Sequence, residues 1–378
     1  MGHLRFLTAG ESHGKALALI VEGMPAGLPL SEQYITAELV RRQKGYGRSS
    51  RMAIEQDRAQ IISGVRHGVT IGSPIALLIQ NRDWENWKEI MSVSPTDKEI
   101  ESIAHLRPGH ADLAGVIKYG FDDVRPILER ASARETAARV ACGAIARRFL
   151  EEFEIAIHSH TWAISGIEAK INHPLDWPRV ESSPLRCADS SAEREMMAAI
   201  DVAKERGDTL GGIFQVIAFG VPIGLGSHVH WDRRLDGRIA QAIMSINAVK
   251  GVEFGEGFRM ASLPGSEAHD IIQHDEAPPF WHHTTNRAGG IEGGISNGEP
   301  IVVNVAVKPI PTLAHPLPSI DLKTKGEVLA HVERSDVCVV PAAGVIGEAM
   351  LAIVLADVML EKFGGDSLSE SQRNYRLF

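Results

Sequence analysis

A chain of 378 residues with 44% hydrophobic and 23% charged residues has the composition of an ordinary globular protein. Its formal net charge of -9 excludes a surface built throughout for nucleic acid. Cys142, Cys187 and Cys338 stand far apart with no CxxC pair, which argues against a zinc ribbon or a disulfide framework and fits a reducing cytoplasm.

The length would allow two domains, but no segment reads as a linker. The only Pro-dense stretch, "PIPTLAHPLP" from Pro309 to Pro318, has strand-like sequence on both sides, so one domain over 1–378 is expected. The N-terminus has no basic-then-apolar leader pattern. The longest uninterrupted apolar run in "AMLAIVLADVML" is eight residues, between Glu348 and Asp357, short of the ~20 of a membrane span. A protein that engages no membrane is expected.

In chain order, "LRFL" runs into "TAGESHGKA", where Glu11, Ser12 and His13 lie between Gly10 and Gly14. "ALALIVEGM" reads as a buried strand. "SEQYITAELVRRQKG" reads as a helix capped by Ser31, with Ile35, Leu39 and Val40 as its apolar stripe and Gly45 as its stop. "AQIISGV" and "PIALLIQ" are strand-like runs joined by the turn-rich "RHGVTIGS".

Two later helices decide the fold class. Glu135 to Phe153 is Ala, Val, Cys and Ile on most faces of its first half. Gly344 to Gly365 has two interior charges, Glu348 and Asp357, whose nine-residue spacing puts them on opposite sides. A helix without a polar face is buried all round, and "IFQVIAFGV" and "IVVNVAVK" are strands able to cover it. The expected class is α+β, with apolar helices buried between antiparallel sheets. "RASARETAARVACGAI" and "RSDVCVVPAAGVIGEAML" echo each other weakly, as an internal duplication would.

Several segments carry candidate chemistry. "RRQKGYGRSSR" sets Arg41, Arg42, Lys44, Arg48 and Arg51 among glycines; a solvated helix end, an RNA-binding arm and an anion clamp are the competing readings. Gly45 to Arg51 reads as a mobile lid. "HLRPGHADLAG" offers Arg107, His110 and Asp112 around a Pro-Gly turn. "LERASARETAA" sets Arg130, Ser132 and Arg134 before a buried helix, either as a phosphate site or as an ordinary cap. "NRAGGIEGGISNG" holds five glycines in ten residues, yet no GxGxxG follows a strand and opens a helix, so a dinucleotide fold is unsupported. "ERSDVCVVPAAG" supplies Arg334 and Asp336, a candidate base. The pairs His158/His160, His228/His230 and His282/His283 lack ligand spacing, "HVHWD" being the best metal candidate, and no metal is expected.

The blocks "GESHG", "RRQKGYGR", "RPGHAD", "RASARET", "SINAVKGVEFG", "NRAGGIEGGISNG", "KPIPT" and "RSDVCVVPAAGVIGEAM", in this order from about Phe6 to about Met359, resemble the chorismate synthase family. Some members read RRRPG where this chain has "RRQKG". The resemblance implies a β-α-β sandwich monomer and a homotetramer. It implies anti 1,4-elimination of phosphate from 5-enolpyruvylshikimate-3-phosphate to give chorismate, with reduced FMN required and no net redox change.

By resemblance, Ser12, Arg42, Arg48, Arg107, Ser132 and Arg134 grip the substrate. His13 protonates the departing phosphate, His110 keeps the flavin ring correctly protonated, and Asp336 takes a proton from near the flavin N5. FMN lies against Arg130, Ala131, Ser132, Asn247, Ala248, Gly293, Lys308, Pro309, Ile310, Pro311, Thr312 and Arg334. Gly10 and Gly14 read as clearance for the phosphorylated ligand, and Glu11 either orients His13 or bonds nearby backbone. Reduction of the flavin by NADPH on this chain, held at Arg42 and Arg48, and supply by a separate flavin reductase both remain open. The competing readings are a metal-dependent phosphatase using the histidine pairs and an RNA-binding protein using Arg41 to Arg51.

Overall fold

The computed structural model describes residues 4–49, 55–171, 174–277 and 280–378. Strands β1 (Arg5–Ala9), β2 (Ala16–Glu22), β3 (Ala59–Ser63) and β4 (Ile75–Gln80) form an antiparallel sheet in the order β1-β2-β4-β3. Alternation along β2 and β4 buries Leu17, Leu19 and Val21 beside Ile75, Leu77 and Ile79 on one face. The second antiparallel sheet contains β5 (Ala156–Ile164), β6 (Ile167–Glu168), β7 (Gly212–Phe219), β8 (Val249–Phe254) and β9 (Ile301–Val307), ordered β8-β9-β7-β5-β6.

Helix α1 (Glu32–Gln43) starts where Ser31 Oγ accepts from the Tyr34 amide at 3.2 Å. Its buried stripe is Ile35, Leu39 and Arg42, while Val40, expected inside, is 42% exposed. Tertiary contacts turn an arginine inward at the position where periodicity alone favours the valine.

The short helices α2 (Asp112–Tyr119) and α3 (Arg125–Arg130) precede α4 (Thr136–Glu151), and α5 (Ser190–Glu205) and α6 (Leu235–Met244) lie between the strands of the second sheet in sequence. Helix α7 (Val340–Phe363) is followed by α8 (Leu368–Arg376).

Helix α4 touches α1, β2 and β5, and α7 touches α4, α6, β5 and β7, so the two apolar helices bridge the sheets. Small residues make the approach feasible. A Cβ on Gly143 of α4 would stand 2.3 Å from the Ala349 Cβ, and one on Gly347 would stand 2.7 Å from the Phe214 ring. A main core joins the inner faces of both sheets, and a smaller separate cluster forms around Val116, Val124 and Ile127. Among the described residues only Val340–Phe363 is long and apolar enough to cross a membrane, and 94% of its apolar window is buried within this fold. Its two interior charges are answered inside: Glu348 by Arg41 and Arg186, and Asp357 by Arg238 and the Leu4 amide.

Candidate active site

The β1–β2 turn, the end of α1, the turn before α4 and the segment leading into α7 converge on a cavity of about 370 Å³. Ser12, Arg42, Arg48, Arg107, His110, Ser132, Arg134 and Asp336 line it. So do Ala131, Asn247, Ala248, Lys308, Ile310, Pro311, Thr312 and Arg334. The residues come from segments up to 324 positions apart, Ser12 to Asp336, and meet because both buried helices point an end at the same place.

The cationic wall is undersaturated. Arg42 donates from Nε to Thr136 Oγ1 at 2.9 Å and from Nη2 to the Ala133 carbonyl at 3.0 Å. Its buried Nη1 has no hydrogen-bond partner, Asp57 Oδ2 lying 3.5 Å away. Burial pushes the Arg42 guanidinium down to about 10; Asp57 opposes the shift while Arg48 and Arg134 add to it. Arg134 donates from Nε to Asn81 Oδ1 at 2.9 Å and from Nη1 to Asp57 Oδ1 at 2.5 Å, but its buried Nη2 is unpartnered, with Glu55 Oε2 at 3.6 Å. Two guanidiniums with buried N–H groups unspent, in a cavity wall, call for an anionic ligand.

Arg107, His110 and Asp112 form a tight group. Arg107 donates from Nε to Asp112 Oδ2 at 2.8 Å and from Nη2 to Oδ1 at 3.0 Å, while Nη1 reaches Thr312 Oγ1 at 3.1 Å. His110 Nδ1 also bonds Asp112 Oδ1. Burial alone would raise the Asp112 carboxyl, but the hydrogen bonds from His110 and Arg107 outweigh it and hold the group well below the usual carboxylate range.

Asp336 Oδ1 accepts from the Ser49 amide at 2.6 Å and Oδ2 faces Arg48 at 3.0 Å. The loop expected to be a lid is fastened over its described part. The Tyr46 amide donates to the Pro184 carbonyl at 2.9 Å, the Tyr46 hydroxyl to Asp201 at 2.8 Å, and the Val337 amide to the Gly47 carbonyl at 2.8 Å. Gly47 is required there, with φ at +79° and Ile200 3.0 Å from where a Cβ would be. Ser50 and Arg51 lie outside the described residues.

His13 sits beside the cavity lining rather than in it. Its Nδ1 lies 2.9 and 3.1 Å from the two carboxylate oxygens of Glu129, and its ring stacks on Trp87 with centroids 3.9 Å apart. Ser12 Oγ and Ser132 Oγ are 3.1 Å apart. Glu129 is therefore the carboxylate facing His13, whereas the Glu11 backbone carbonyl accepts from Asn81 Nδ2 at 3.1 Å. Gly10 is needed by its own turn: with φ at +107°, a Cβ would meet the Ala16 carbonyl at 2.4 Å. A Cβ on Gly14 would meet the Glu11 side chain at 2.9 Å. Neither glycine clears space for a ligand.

Other candidates fall elsewhere. Arg130 donates to the Gly10 and Thr8 carbonyls and lines a shallower hollow beside the cavity, with Phe6, Thr8 and Asn247. Gly293 lies in the tight hairpin of Ile291–Glu292 and Ile295–Ser296, and neither it nor Pro309 lines either space. Arg41 leaves the proposed clamp for Glu348, Glu181 and Glu38.

The histidine pairs do not meet as ligands. His158 stacks on Trp177, His160 bonds Gln215, and His282 bonds Asp275. Among the described residues no cluster of three or more metal-binding side chains occurs. Glu55, Asp57, Asn81, Trp87 and Glu129 are the site residues that sequence reasoning missed. Only "DWENW" and "LERAS", which place polar and aromatic groups near candidate segments, hinted at two of them.

A family model described as chorismate synthase matches residues 4–360. A chorismate synthase of Moorella thermoacetica is 59% identical over 368 residues, covering 97% of this chain and 95% of that protein. One from Aquifex aeolicus is 54% identical over 385 residues, covering 99% and 96%. A crystal structure of a chorismate synthase superposes with a TM-score of 0.80 at 48% identity, covering 99% of this chain and 96% of that one.

Proposed function

We propose the following residue roles on one premise: this chain belongs to the chorismate synthase family. The protein is a lyase that eliminates phosphate from 5-enolpyruvylshikimate-3-phosphate to give chorismate, a step of aromatic amino acid biosynthesis, and the family's reaction uses reduced flavin. Neither the phosphatase nor the RNA-binding reading is retained.

The observation that carries the site reading is the pair of unspent buried guanidinium groups, Arg42 Nη1 and Arg134 Nη2, in the wall of the cavity. A substrate with one phosphate and two carboxylates supplies the missing acceptors. Arg48 and Arg107 extend the grip, with Ser12 and Ser132 as neutral donors.

The cavity also fits a flavin. Small apolar side chains of Ala131, Ala248, Ala342 and Ala343 offer a surface for a flat ring, and Lys308, Thr312, Asn247 and Arg334 offer polar contacts. When bound, reduced FMN supplies an electron-rich ring that stabilises electron deficiency as phosphate leaves. Ser132, Ile310 and Pro311 complete that wall. Arg130 approaches from the adjoining hollow, and Gly293 and Pro309 remain candidates on resemblance alone.

His13 gives its proton to the phosphate leaving group, His110, held by Asp112, presents its ring to the cavity, and Asp336 accepts a proton there. We assign Arg42 and Arg48 to substrate rather than to NADPH, with a separate reductase supplying reduced flavin. The buried free cysteines suit a cytoplasmic enzyme. The architecture is a single-domain β-α-β sandwich, and the homotetramer is supported by the outer face of the first sheet, where Leu7 and Ile20 pair in register at 69% and 47% exposure.

Anaerobic assay with dithionite-reduced FMN tests the reading: chorismate forms only with reduced flavin, and EDTA has no effect. Folded protein that makes no product under these conditions overturns it. His13→Ala and His110→Ala each cut turnover by about 10²–10⁴; wild-type rates refute their roles. NADPH with FMN in air, without a reductase, produces no flavin reduction. Leu7→Glu with Ile20→Glu lowers the mass measured by light scattering.

A further inference from the structure

The best-defined polar contact next to the site belongs to a residue with no role so far. Glu129 is fully buried, and it grips the His13 turn three ways. Its carbonyl accepts from the Ser12 amide at 3.0 Å, its Oε2 accepts from the His13 amide at 2.8 Å, and its carboxylate faces His13 Nδ1 at 2.9 Å. An ionised carboxylate only accepts hydrogen bonds, so the ring nitrogen facing it carries a proton. Trp87 closes one face of the ring with planes 19° apart. Nε2 is left without a hydrogen-bond partner among the described residues.

We infer that Glu129 is a positioning residue for the elimination: it fixes His13 with the proton on Nδ1, so that Nε2 is the nitrogen that donates to the departing phosphate. Nε2 loses its proton to the phosphate oxygen, the ring returns to the neutral form with Nδ1–H still on Glu129, and solvent restores the proton. The carboxylate stays ionised throughout. The other charged groups around the ring are Asp83, which accepts from Trp87 Nε1 at 3.2 Å, and Glu333; Arg334 lies 3.6 Å from Asp83, while Arg125 lies 3.3 Å from Glu129 and 3.6 Å from Glu333. His331 lies 3.5 Å from Glu333. Among the described residues only Glu129 touches the His13 ring nitrogen. This inference rests on His13 being the acid.

The test compares Glu129→Gln, Glu129→Asp and His13→Ala with the wild type, assayed with reduced FMN. Glu129→Gln is expected to lower kcat roughly tenfold or more with KM near wild type. It should also move the basic limb of the kcat profile to lower pH by about one unit or more, as loss of an adjacent negative charge requires. Glu129→Asp should recover part of both. A wild-type kcat and pH profile in Glu129→Gln, with His13→Ala inactive, overturns the inference and leaves the acid standing. A fully active His13→Ala overturns both. Should the Gln variant not fold, nitrogen NMR of ¹⁵N-histidine wild-type protein above its titration decides: neutral His13 protonated on Nδ1 supports the inference, and the Nε2 tautomer refutes it.

Discussion

Arg41 and Arg42 are neighbours in sequence and opposites in structure. Arg41 joins Arg147 and Arg186 around the buried carboxylate of Glu348, which also accepts from Ser159 Oγ at 2.6 Å. Burial works against the charge on Arg41, yet Glu348, Glu181 and Glu38 together hold its guanidinium above its ordinary value. Arg42 turns the other way, into a wall shared with Arg48 and Arg134, and is pushed down to about 10. Both regions are buried and rich in arginine. In the first the three cations converge on the one carboxylate of Glu348 and none of them lines the cavity, which makes it a structural clamp on α7. In the second the arginines also face Asp57 and Asp336, but they line the cavity with Arg42 Nη1 and Arg134 Nη2 lacking a hydrogen-bond acceptor, which suits an anion from outside.

Glu348→Ala separates the two most sharply. It strands three buried guanidiniums, so unfolding in urea should show a loss of about 3–5 kcal/mol. The KM of the folded fraction should stay near wild type, and a rise as large as in an Arg42 variant would erase the distinction. Arg42→Ala and Arg134→Ala should do the reverse. Steady-state assays are expected to show kcat/KM falling by about 2–5 kcal/mol of lost interaction with a charged ligand, with a smaller loss of stability than Glu348→Ala. A third comparison uses inorganic phosphate alone. At about a hundredfold excess over its Kd it should stabilise wild type by about 2.7 kcal/mol in thermal melts, and the double variant Arg42→Ala/Arg134→Ala much less. Equal stabilisation of both proteins would place the anion elsewhere.

Acid gives the smallest signal. For Glu348, burial raises the carboxyl, but Arg41, Arg147 and Arg186 bring it well below its ordinary value, and Asp112 is likewise depressed. A depressed carboxyl stabilises the fold above the unfolded value of about 4 and loses that contribution as pH falls through the folded value. Stability followed by circular dichroism should therefore be insensitive to these groups near neutrality and fall below about pH 4. Removing Glu348 should make that fall shallower.

Much of the site was legible because its residues fall in short polar blocks interrupting apolar sequence. Ser12, Arg107, His110, Ser132, Arg134 and Asp336 were picked out that way, and the fold brings all of them to one cavity. The groups that hold them were not. Asp57 and Asn81 lie in unremarkable strand-flanking sequence, and their importance comes from accepting the Arg134 guanidinium across the fold. Glu129 was overlooked because its partner His13 is 116 positions away. The glycines of "GESHG" misled in the other direction: they shape their own turn.

By itself the sequence determined a mixed helix-and-sheet fold and the buried character of the two long helices. Periodicity and the lack of a polar face are local properties, and hydrophobic burial follows from them. It also determined which blocks carry chemistry. Only the tertiary structure decided which arginine is spent and which is available. That outcome depends on where carboxylates from distant segments arrive, and Coulomb energy between buried groups is set by distances of a few ångströms that no spacing along the chain encodes. Arg41 and Arg42 carry the same side chain, and Glu348, 307 positions from Arg41, separates their roles.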